Sequence, residues 1–185
     1  MLQKWILGIM LATGITFAAV GSEDKNMAVG GWLQGGNSGE HAGLDLEFRH
    51  GAMNTLDLYT SFEFSKHDNS LGVYLGYYWH LYDVIPLPQQ YGRMSLYFGP
   101  AAGMGWWQSD LFDELGNEYD SESGLAFRAG IVGGWGWEFP KPVPLEFYIE
   151  LNPVGEYHYM WYDDDHKSDW QLPDFYVRFG LRFWF

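Results

Sequence analysis

The chain has 185 residues, a formal net charge of −14, 19% aromatic residues, 24 glycines and no cysteine. This length suits one domain with a sizeable core. The acidic balance argues against a nucleic-acid partner, which would need a basic surface, and the lack of cysteine excludes disulfides, zinc–thiolate sites and a thiol nucleophile. The many aromatic residues and glycines favour strands and tight turns over helices.

The first residues have the layout of a secretory signal peptide. Lys4 precedes an apolar stretch from Trp5 to Val20, and small and polar residues follow. We expect removal of this segment after export, with cleavage after Gly21 or Ser22, so that residues 1–21 are the signal peptide and residues 26–185 the remaining domain. The alternative is a retained membrane anchor, but glycine and threonine dilute the stretch below a good spanning helix.

The rest of the chain divides into eight segments in which apolar residues alternate with other residues, and each is predicted to be a strand. In chain order the predicted strands cover residues 26–35, 42–50, 53–65, 71–82, 92–107, 123–139, 144–161 and 175–185. Pro100 and Pro153 fall inside the fifth and seventh, where we expect a bulge or a break because proline has no N–H to donate. Eight strands are enough to close the smallest membrane barrels.

The links between the predicted strands alternate in character. Those after the second, fourth and sixth strands are short or stiffened by proline, namely "GA", "DVIPLPQQY" and "PKPV". The others are polar, and two are long, namely "QSDLFDELGNEYDSE" and "YDDDHKSDWQLP". Short turns at one rim and longer polar loops at the other are typical of outer-membrane barrels.

Charged residues in the strands share one face. All five arginines lie on the face opposite the apolar residues, with eight carboxylates, whereas the lysines after the signal segment lie in the predicted tail, loops and turns. The lumen of an eight-stranded barrel is too narrow for open water, so charges there must pair, and the planar guanidinium suits such packing better than an ammonium group. The pattern therefore favours a membrane barrel over a soluble β-sandwich or lipocalin-like barrel.

The charged face supplies a predicted lumen charge network. Glu146 and Glu150 lie on the strand next to that of Arg178 and Arg182, so these four are expected to form a cross-strand ladder. We expect a structural network, and a proton or ion path through the lumen is the alternative. The full predicted network consists of Asp45, Glu47, Arg49, Asp57, Glu63, Arg93, Arg128, Glu146, Glu150, Arg178 and Arg182.

Aromatic residues lie mostly near the ends of the predicted strands. This placement predicts girdles at the two membrane interfaces. A purely internal position is the alternative, but the adjacent rings of "GYYWH" and "GMGWWQ" cannot all face one core. The predicted girdle residues are Trp32, Tyr77, Tyr78, Trp79, Trp106, Trp107, Trp135, Trp137, Trp161, Trp184 and Phe185.

Taken together, the signal segment, the eight alternating strands, the asymmetric links and the final "RFGLRFWF" carry a family likeness. From about Asn26 to Phe185 the chain resembles small eight-stranded outer-membrane proteins of the OmpX and OmpA transmembrane-domain kind. The resemblance implies an all-β, eight-stranded antiparallel up-and-down transmembrane β-barrel in the bacterial outer membrane. No peptidoglycan-binding domain of the OmpA type is expected.

The same resemblance implies partners and a role. The surroundings would be outer-membrane lipid and lipopolysaccharide, and the barrel-assembly machinery would recognise the last strand through Phe179, Leu181, Phe183 and Phe185. The implied function is structural, adhesive or surface-interacting, with an unidentified extracellular ligand and no cofactor. A narrow pore is the first alternative, and a soluble periplasmic barrel is another.

Some predicted loops contain residues that could support catalysis or metal binding. Some barrels of this size modify lipid A with a histidine beside a serine, and "HDNS" and "HKSD" match loosely through His67 with Ser70 and His166 with Ser168. We expect no catalytic site. The acidic stretches near 110–122 and 163–169 offer oxygen ligands of the type that Ca²⁺ or Mg²⁺ prefers, but lack an EF-hand pattern, so we expect solvated loops and no metal site.

Overall fold

The computed structural model describes residues 26–36, 39–64, 68–112, 118–162 and 165–185. The predicted signal peptide lies outside these ranges. Among the described residues, no helix has the length and apolar character needed to cross a membrane. In chain order the elements are β1 (Met27–Gly36), β2 (Gly39–His50), β3 (Asn54–Phe64), β4 (Asp68–Tyr82), a 3-10 turn (Gln89–Tyr91), β5 (Arg93–Phe112), β6 (Glu118–Glu138), β7 (Leu145–Tyr162) and β8 (Asp165–Trp184).

The eight strands close into a barrel. Each pairs antiparallel with the next, and β1 pairs with β8. The Phe185 N–H donates to the Met27 carbonyl at 2.8 Å, and the Met27 N–H donates to the Phe185 carbonyl at 3.3 Å, so backbone bonds join the two ends of the sheet. Closure pairs the strand edges that an open sheet would expose. The predicted eight-stranded antiparallel up-and-down barrel is confirmed.

The two ends of the barrel differ in height. We call the end that carries Asn26, Phe185 and the turns at 51–53, 83–92 and 139–144 the terminal rim, and the other end the opposite rim. Strands β5 to β8 have 18 to 21 residues, whereas β1 to β3 have 10 to 12. Because about 9–11 tilted residues span a bilayer, β5 to β8 project well beyond that height at the opposite rim.

The projecting strands correct the prediction of two long loops. Most of both polar links is strand: β5 continues to Phe112, β6 starts at Glu118, and β8 starts at Asp165 rather than at residue 175. Lys167 consequently lies in β8 instead of a loop. The alternation of apolar residues did not reveal these segments because they contain few apolar residues, whereas their strand structure comes from backbone pairing with neighbouring strands.

Each of the two prolines lies at an interruption of one ladder. Pro100 pairs with Ile131 of β6, but toward β4 the pairing stops at Gly99 and Pro100 and resumes in the same register, so a local break is present there without a bulge. Pro153 likewise has no partner in β6. Near Pro153 the register between β7 and β8 does shift, between Val154 and Glu156. The extra residue is in β8, at residues 172–173, so the bulge lies on the strand opposite this proline.

The bulge changes which residues of β8 face outward. Val154 pairs with Asp174 and Glu156 pairs with Gln171, so β8 contains one residue more than β7 between these pairs. An extra residue reverses the alternation of a strand. Trp170 accordingly lies opposite Tyr157, with the two ring centroids 5.0 Å apart.

The apolar face of the sheet points outward and forms a belt around the barrel. A continuous exposed apolar surface of this extent is unusual on a monomeric soluble protein, and it matches the lipid-facing band of a membrane barrel. We call this surface the apolar belt; its exposed members include Leu33, Leu44, Leu58, Leu71, Val73, Leu75, Leu96, Phe98, Met104, Phe127, Ile131, Leu151, Phe175, Phe179 and Leu181.

Aromatic rings and polar groups fill the inside. Tyr148 and Tyr97 are buried, and each ring lies over a glycine of the neighbouring strand. A Cβ atom added to Gly180 would lie 2.2 Å from Cζ of Tyr148, and one added to Gly134 would lie 2.3 Å from Cζ of Tyr97. Only glycine leaves room for these rings.

Four of the predicted girdle residues are inside the barrel. Trp32, Tyr78 and Trp184 are buried, and Trp107 lies on the inward face of β5, so their assignment to the membrane interfaces is wrong. Each occupies one of the alternate positions whose side chains point into the barrel: Trp184, for example, shares a face with Arg182. Proximity to a strand end therefore misled the interpretation, and the alternation was the better guide.

Candidate functional site

Inward-facing charged residues fill the lumen in three clusters. The shared parity along each strand places all of them on the inner face. The terminal-rim cluster contains Arg49, Arg93 and Glu138; the central cluster contains Asp45, Glu47, Asp57, Glu150, Arg178 and Arg182; the upper cluster contains Arg128, Glu156, His158 and Tyr176.

Arg182 is the hub of the central cluster. Its guanidinium contacts Asp45, lies 2.6 Å from Glu47 (Nη1 to Oε2) and 3.3 Å from Asp57 (Nη2 to Oδ2). Glu150 is a fourth carboxylate within reach, 3.7 Å from Nη2. One cation therefore contacts carboxylates from three other strands, β2, β3 and β7.

Arg178 forms the second half of the cluster. Its Nε donates to Oε2 of Glu150 at 2.5 Å, and its Nη2 lies 3.4 Å from Oδ2 of Asp57. Tyr97 donates its hydroxyl to the other Glu150 oxygen at 2.7 Å. The guanidinium of Arg178 lies 4.0 Å from the centroid of Tyr59, and that of Arg182 lies 3.8 Å from the centroid of Tyr148. Packed ion pairs and rings thus occupy the middle of the lumen.

The contacts of Glu146 depart from the simple ladder. In the register Glu146 lies opposite Arg182, as Glu150 lies opposite Arg178. Glu146 nevertheless accepts a hydrogen bond from Trp184 Nε1 at 2.8 Å and lies 3.9 Å from Arg49 Nη2. Arg182 instead reaches past β1 to β2 and β3. Gly30 of β1 lies between Arg182 and Asp45 and has no side chain to block this path.

The terminal-rim cluster is built around one carboxylate. Glu138 accepts from Arg49 Nη2 at 2.5 Å and from Arg93 Nη2 at 3.0 Å. Each guanidinium also stacks on a ring, Arg49 at 3.5 Å from the centroid of Trp184 and Arg93 at 4.0 Å from that of Tyr82. Cation–π stacking of this kind adds to the ion pairs.

The upper cluster lies toward the opposite rim. Arg128 Nε lies 2.5 Å from Oε1 of Glu156, and Arg128 Nη2 donates to the Tyr176 hydroxyl at 2.8 Å. Tyr176 in turn donates to Oε1 of Glu156 at 2.6 Å, and His158 Nε2 lies 3.1 Å from Oε2. Arg128 and Glu156 therefore neutralise each other within one hydrogen-bonded group.

Nine members of the predicted network belong to these clusters, Glu146 lies 3.9 Å from Arg49 of the terminal-rim cluster, and Glu63 stands apart. Glu63 is partly exposed near the opposite rim, 3.6 Å from Nδ1 of His41. Glu138 and Glu156 join the clusters although they were outside the predicted set. Both occupy inward-facing alternate positions, on β6 and β7, and this position was the signal that would have added them. The inward-facing tyrosines of the clusters and Trp184 could have been found in the same way.

The predicted assembly residues line one outward edge of β8. Phe179 and Leu181 are exposed in the apolar belt, and Phe183 and Phe185 are partly exposed on the same face. Their side chains make no part of the lumen clusters. The structure gives their positions, and their recognition stays a prediction.

The structure describes only part of the histidine–serine pairs considered as catalytic sites. His67 lies outside the described residues, only the backbone of His166 is described, and Ser168 is exposed on β8. Within the described ranges, no group of three or more histidine, aspartate or glutamate side chains is arranged to hold a metal ion.

Comparison with known proteins supports the fold. No protein-family model and no curated protein matches the sequence. The N-terminal β-barrel domain of Pseudomonas aeruginosa OprF is similar in structure, with a TM-score of 0.54 and 12% identity over 88% of this chain and 98% of that domain. Neisserial surface protein A (NspA) matches with a TM-score of 0.44 and 10% identity, over 86% of this chain and 95% of that one. The chain has the fold of small eight-stranded outer-membrane β-barrels.

Proposed function

We propose that this protein is an integral barrel of the bacterial outer membrane, exported through its N-terminal segment, whose closed lumen serves stability and whose upper part serves interactions at the cell surface. The central cluster is the main observation in favour of a closed lumen. Arg178 and Arg182 are fully buried between tyrosine rings and four carboxylates. An eight-stranded barrel is just wide enough for side chains to fill it.

The membrane location is supported by the distribution of polarity. The apolar belt faces outward and the charged groups face inward, the reverse of a soluble barrel. The terminal rim would face the periplasm, and the opposite rim, where β5 to β8 project, would face the outside. Outer-membrane lipid and lipopolysaccharide would then surround the belt.

A surface-interaction role is supported by the projecting strands. Hairpin β7–β8 extends beyond the belt and displays Trp170, which is 65% exposed and packs against Tyr157. Large exposed rings held in place by a neighbour are the type of residue that contributes most to protein interfaces. The bulge in β8 is what turns Trp170 outward.

The assembly residues complete this proposal. The outward face of β8, the strand that closes the barrel against β1, carries the apolar residues Phe179, Leu181, Phe183 and Phe185. We assign to this face the recognition by the barrel-assembly machinery. Its position on β8 supports the assignment, because the barrel closes only when β8 pairs with β1 and the last open strand edges disappear.

Two measurements test the proposal. Refolded protein should show heat-modifiable mobility on a denaturing gel and should fractionate with the outer membrane; a chain that stays folded and monomeric without detergent would contradict it. In planar bilayers the folded barrel should produce no conductance steps, with a large porin as the positive control. Regular unitary steps from the wild-type protein would show a narrow channel and overturn the closed lumen.

A further inference from the structure

A cavity lies in the lumen between the upper cluster and the opposite rim. It has a volume of about 160 Å³ and is bordered mainly by inward-facing residues from β2 to β7, and also by the outward-facing Leu71 and Trp106. At roughly 30 Å³ of liquid volume per water molecule, this space equals about five waters, close to the size of one small polyol or sugar ring. We call it the vestibule; its polar and aromatic wall includes His41, Ser61, Glu63, Trp107, Arg128 and Glu156.

The floor of the vestibule separates it from the central cluster. Arg128 lies 5.3 Å from the centroid of Tyr74, whose ring stacks on Tyr59 at 5.0 Å. Arg178 of the central cluster lies on the other side, 4.0 Å from the centroid of Tyr59. This column of rings and guanidinium groups closes the lumen below the vestibule, so a ligand there would enter from the opposite rim.

The charges of the vestibule disfavour an ionic ligand. Arg128 is already neutralised by Glu156, which also accepts from Tyr176. Glu63 is the remaining carboxylate at the wall and faces His41. An anion would therefore meet two carboxylates without an unpaired cation, and a cation would meet the guanidinium of Arg128.

The unfilled hydrogen-bonding capacity of the wall calls for groups that both donate and accept. Both ring nitrogens of His41 and Nε1 of Trp107 are buried and have no hydrogen-bond partner among the described residues. The side chain of His41 is only 10% exposed. Burying such groups without a partner is unfavourable. A neutral imidazole offers one donor and one acceptor, the indole a donor, and Ser61 a hydroxyl.

We propose that the vestibule binds a neutral, hydroxyl-rich ligand of about one sugar ring. A hydroxyl group both donates and accepts, so neighbouring hydroxyls on one ring satisfy His41, Trp107 and Glu63 together. The rings of Trp107 and Tyr74 supply the apolar faces that pockets for such ligands combine with a few polar groups. The ligand is either a free sugar or the terminal residue of a glycan.

Binding is measured with the complete barrel refolded in detergent micelles, by calorimetry and by tryptophan fluorescence. The probes are neutral D-glucose, D-galactose and myo-inositol, against anionic D-glucuronate and cationic D-glucosamine. A ligand of this size with ordinary efficiency per atom binds with a Kd on the order of 1 mM. Saturable binding of at least one neutral probe, tighter than that of both charged ones, is the expected result.

Two tryptophans provide a matched pair of variants. Trp107→Phe keeps a ring but removes the unpartnered indole N–H, and should weaken binding about threefold to tenfold. Trp79→Phe changes an exposed, outward-facing residue that does not border the vestibule, and should leave the Kd within about twofold. Heat-modifiable mobility verifies the fold of each variant, and His41→Phe replaces Trp107→Phe if that variant does not fold.

Three outcomes would overturn the proposal: no saturable binding of any neutral probe, a preference for a charged probe, or equal weakening by both tryptophan variants. To identify the source, the Kd of the free sugar is compared with that of an oligosaccharide ending in it. Tighter binding of the oligosaccharide identifies a glycan terminus, and equal or weaker binding a free sugar. Because binding in micelles requires neither lipid location nor conductance, its failure is distinguishable from failure of the proposed function.

Discussion

Replacing Arg182 with methionine is the most direct test of the packed lumen. The substitution retains the length of the side chain but removes a guanidinium that contacts Asp45, Glu47, Asp57 and Glu150. Removing one partner of a fully buried ion pair typically costs about 3–5 kcal/mol, since it leaves uncompensated buried charge. We expect the free energy of unfolding of the refolded barrel to fall by that amount.

The assay is equilibrium unfolding in urea of barrels refolded into lipid vesicles, followed by tryptophan fluorescence and heat-modifiable mobility. Arg93→Met is the matched control. Arg93 is 41% exposed, and its partner Glu138 keeps Arg49 after the substitution, so the expected loss is only about 0–1 kcal/mol. Equal effects of the two variants, or a loss below about 1 kcal/mol for Arg182→Met, would refute the reasoning and indicate a hydrated lumen.

Three further substitutions probe the glycine contact, the apolar belt and assembly. Gly180→Ala places a methyl group against the Tyr148 ring and should lower stability by about 1–3 kcal/mol, whereas Gly133→Ala, with open space around it, should not; similar unfolding curves for both would contradict this packing. Ile131→Arg puts a charge on a belt position that is 62% exposed and should cost about 2–4 kcal/mol in vesicles; an unchanged urea midpoint would argue against lipid at this site. Phe185→Ala keeps the backbone bonds to Met27, so we expect normal detergent refolding but less barrel in the outer membrane of cells, as measured by fractionation; equal losses in both assays would remove the case for a recognition signal.

Alternation along the chain predicted much of the barrel. Leu44, Leu46 and Phe48 alternate with Asp45 and Glu47, and the structure places the second set in the lumen. The same rule would have placed Trp32 and Trp184 inside. Their assignment to the girdles failed because an aromatic residue near a strand end is compatible with either face, and only its parity distinguishes the two.

Strand length was the least predictable feature. The ends of β5, β6 and β8 beyond the belt carry polar residues on both faces, so neither periodicity nor hydropathy marks them as strand. Their hydrogen bonds come from neighbours in the sheet. The bulge lies in β8 at residues 172–173, which were expected in a loop, and its effect on Trp170 depends on the pairing with β7.

The order of residues alone determines the face that each side chain occupies, because the pleat of a strand sends successive side chains to opposite sides. This alternation explains why all five arginines lie inside the barrel. Which residues then meet was decided only by closure of the sheet. Glu146 faces Arg182 in the ladder yet bonds Trp184, while Arg182 reaches Asp45, Glu47 and Asp57 past β1. These contacts join strands far apart in sequence. They exist because closure brings β8 next to β1, where Gly30 leaves the path from Arg182 to β2 open.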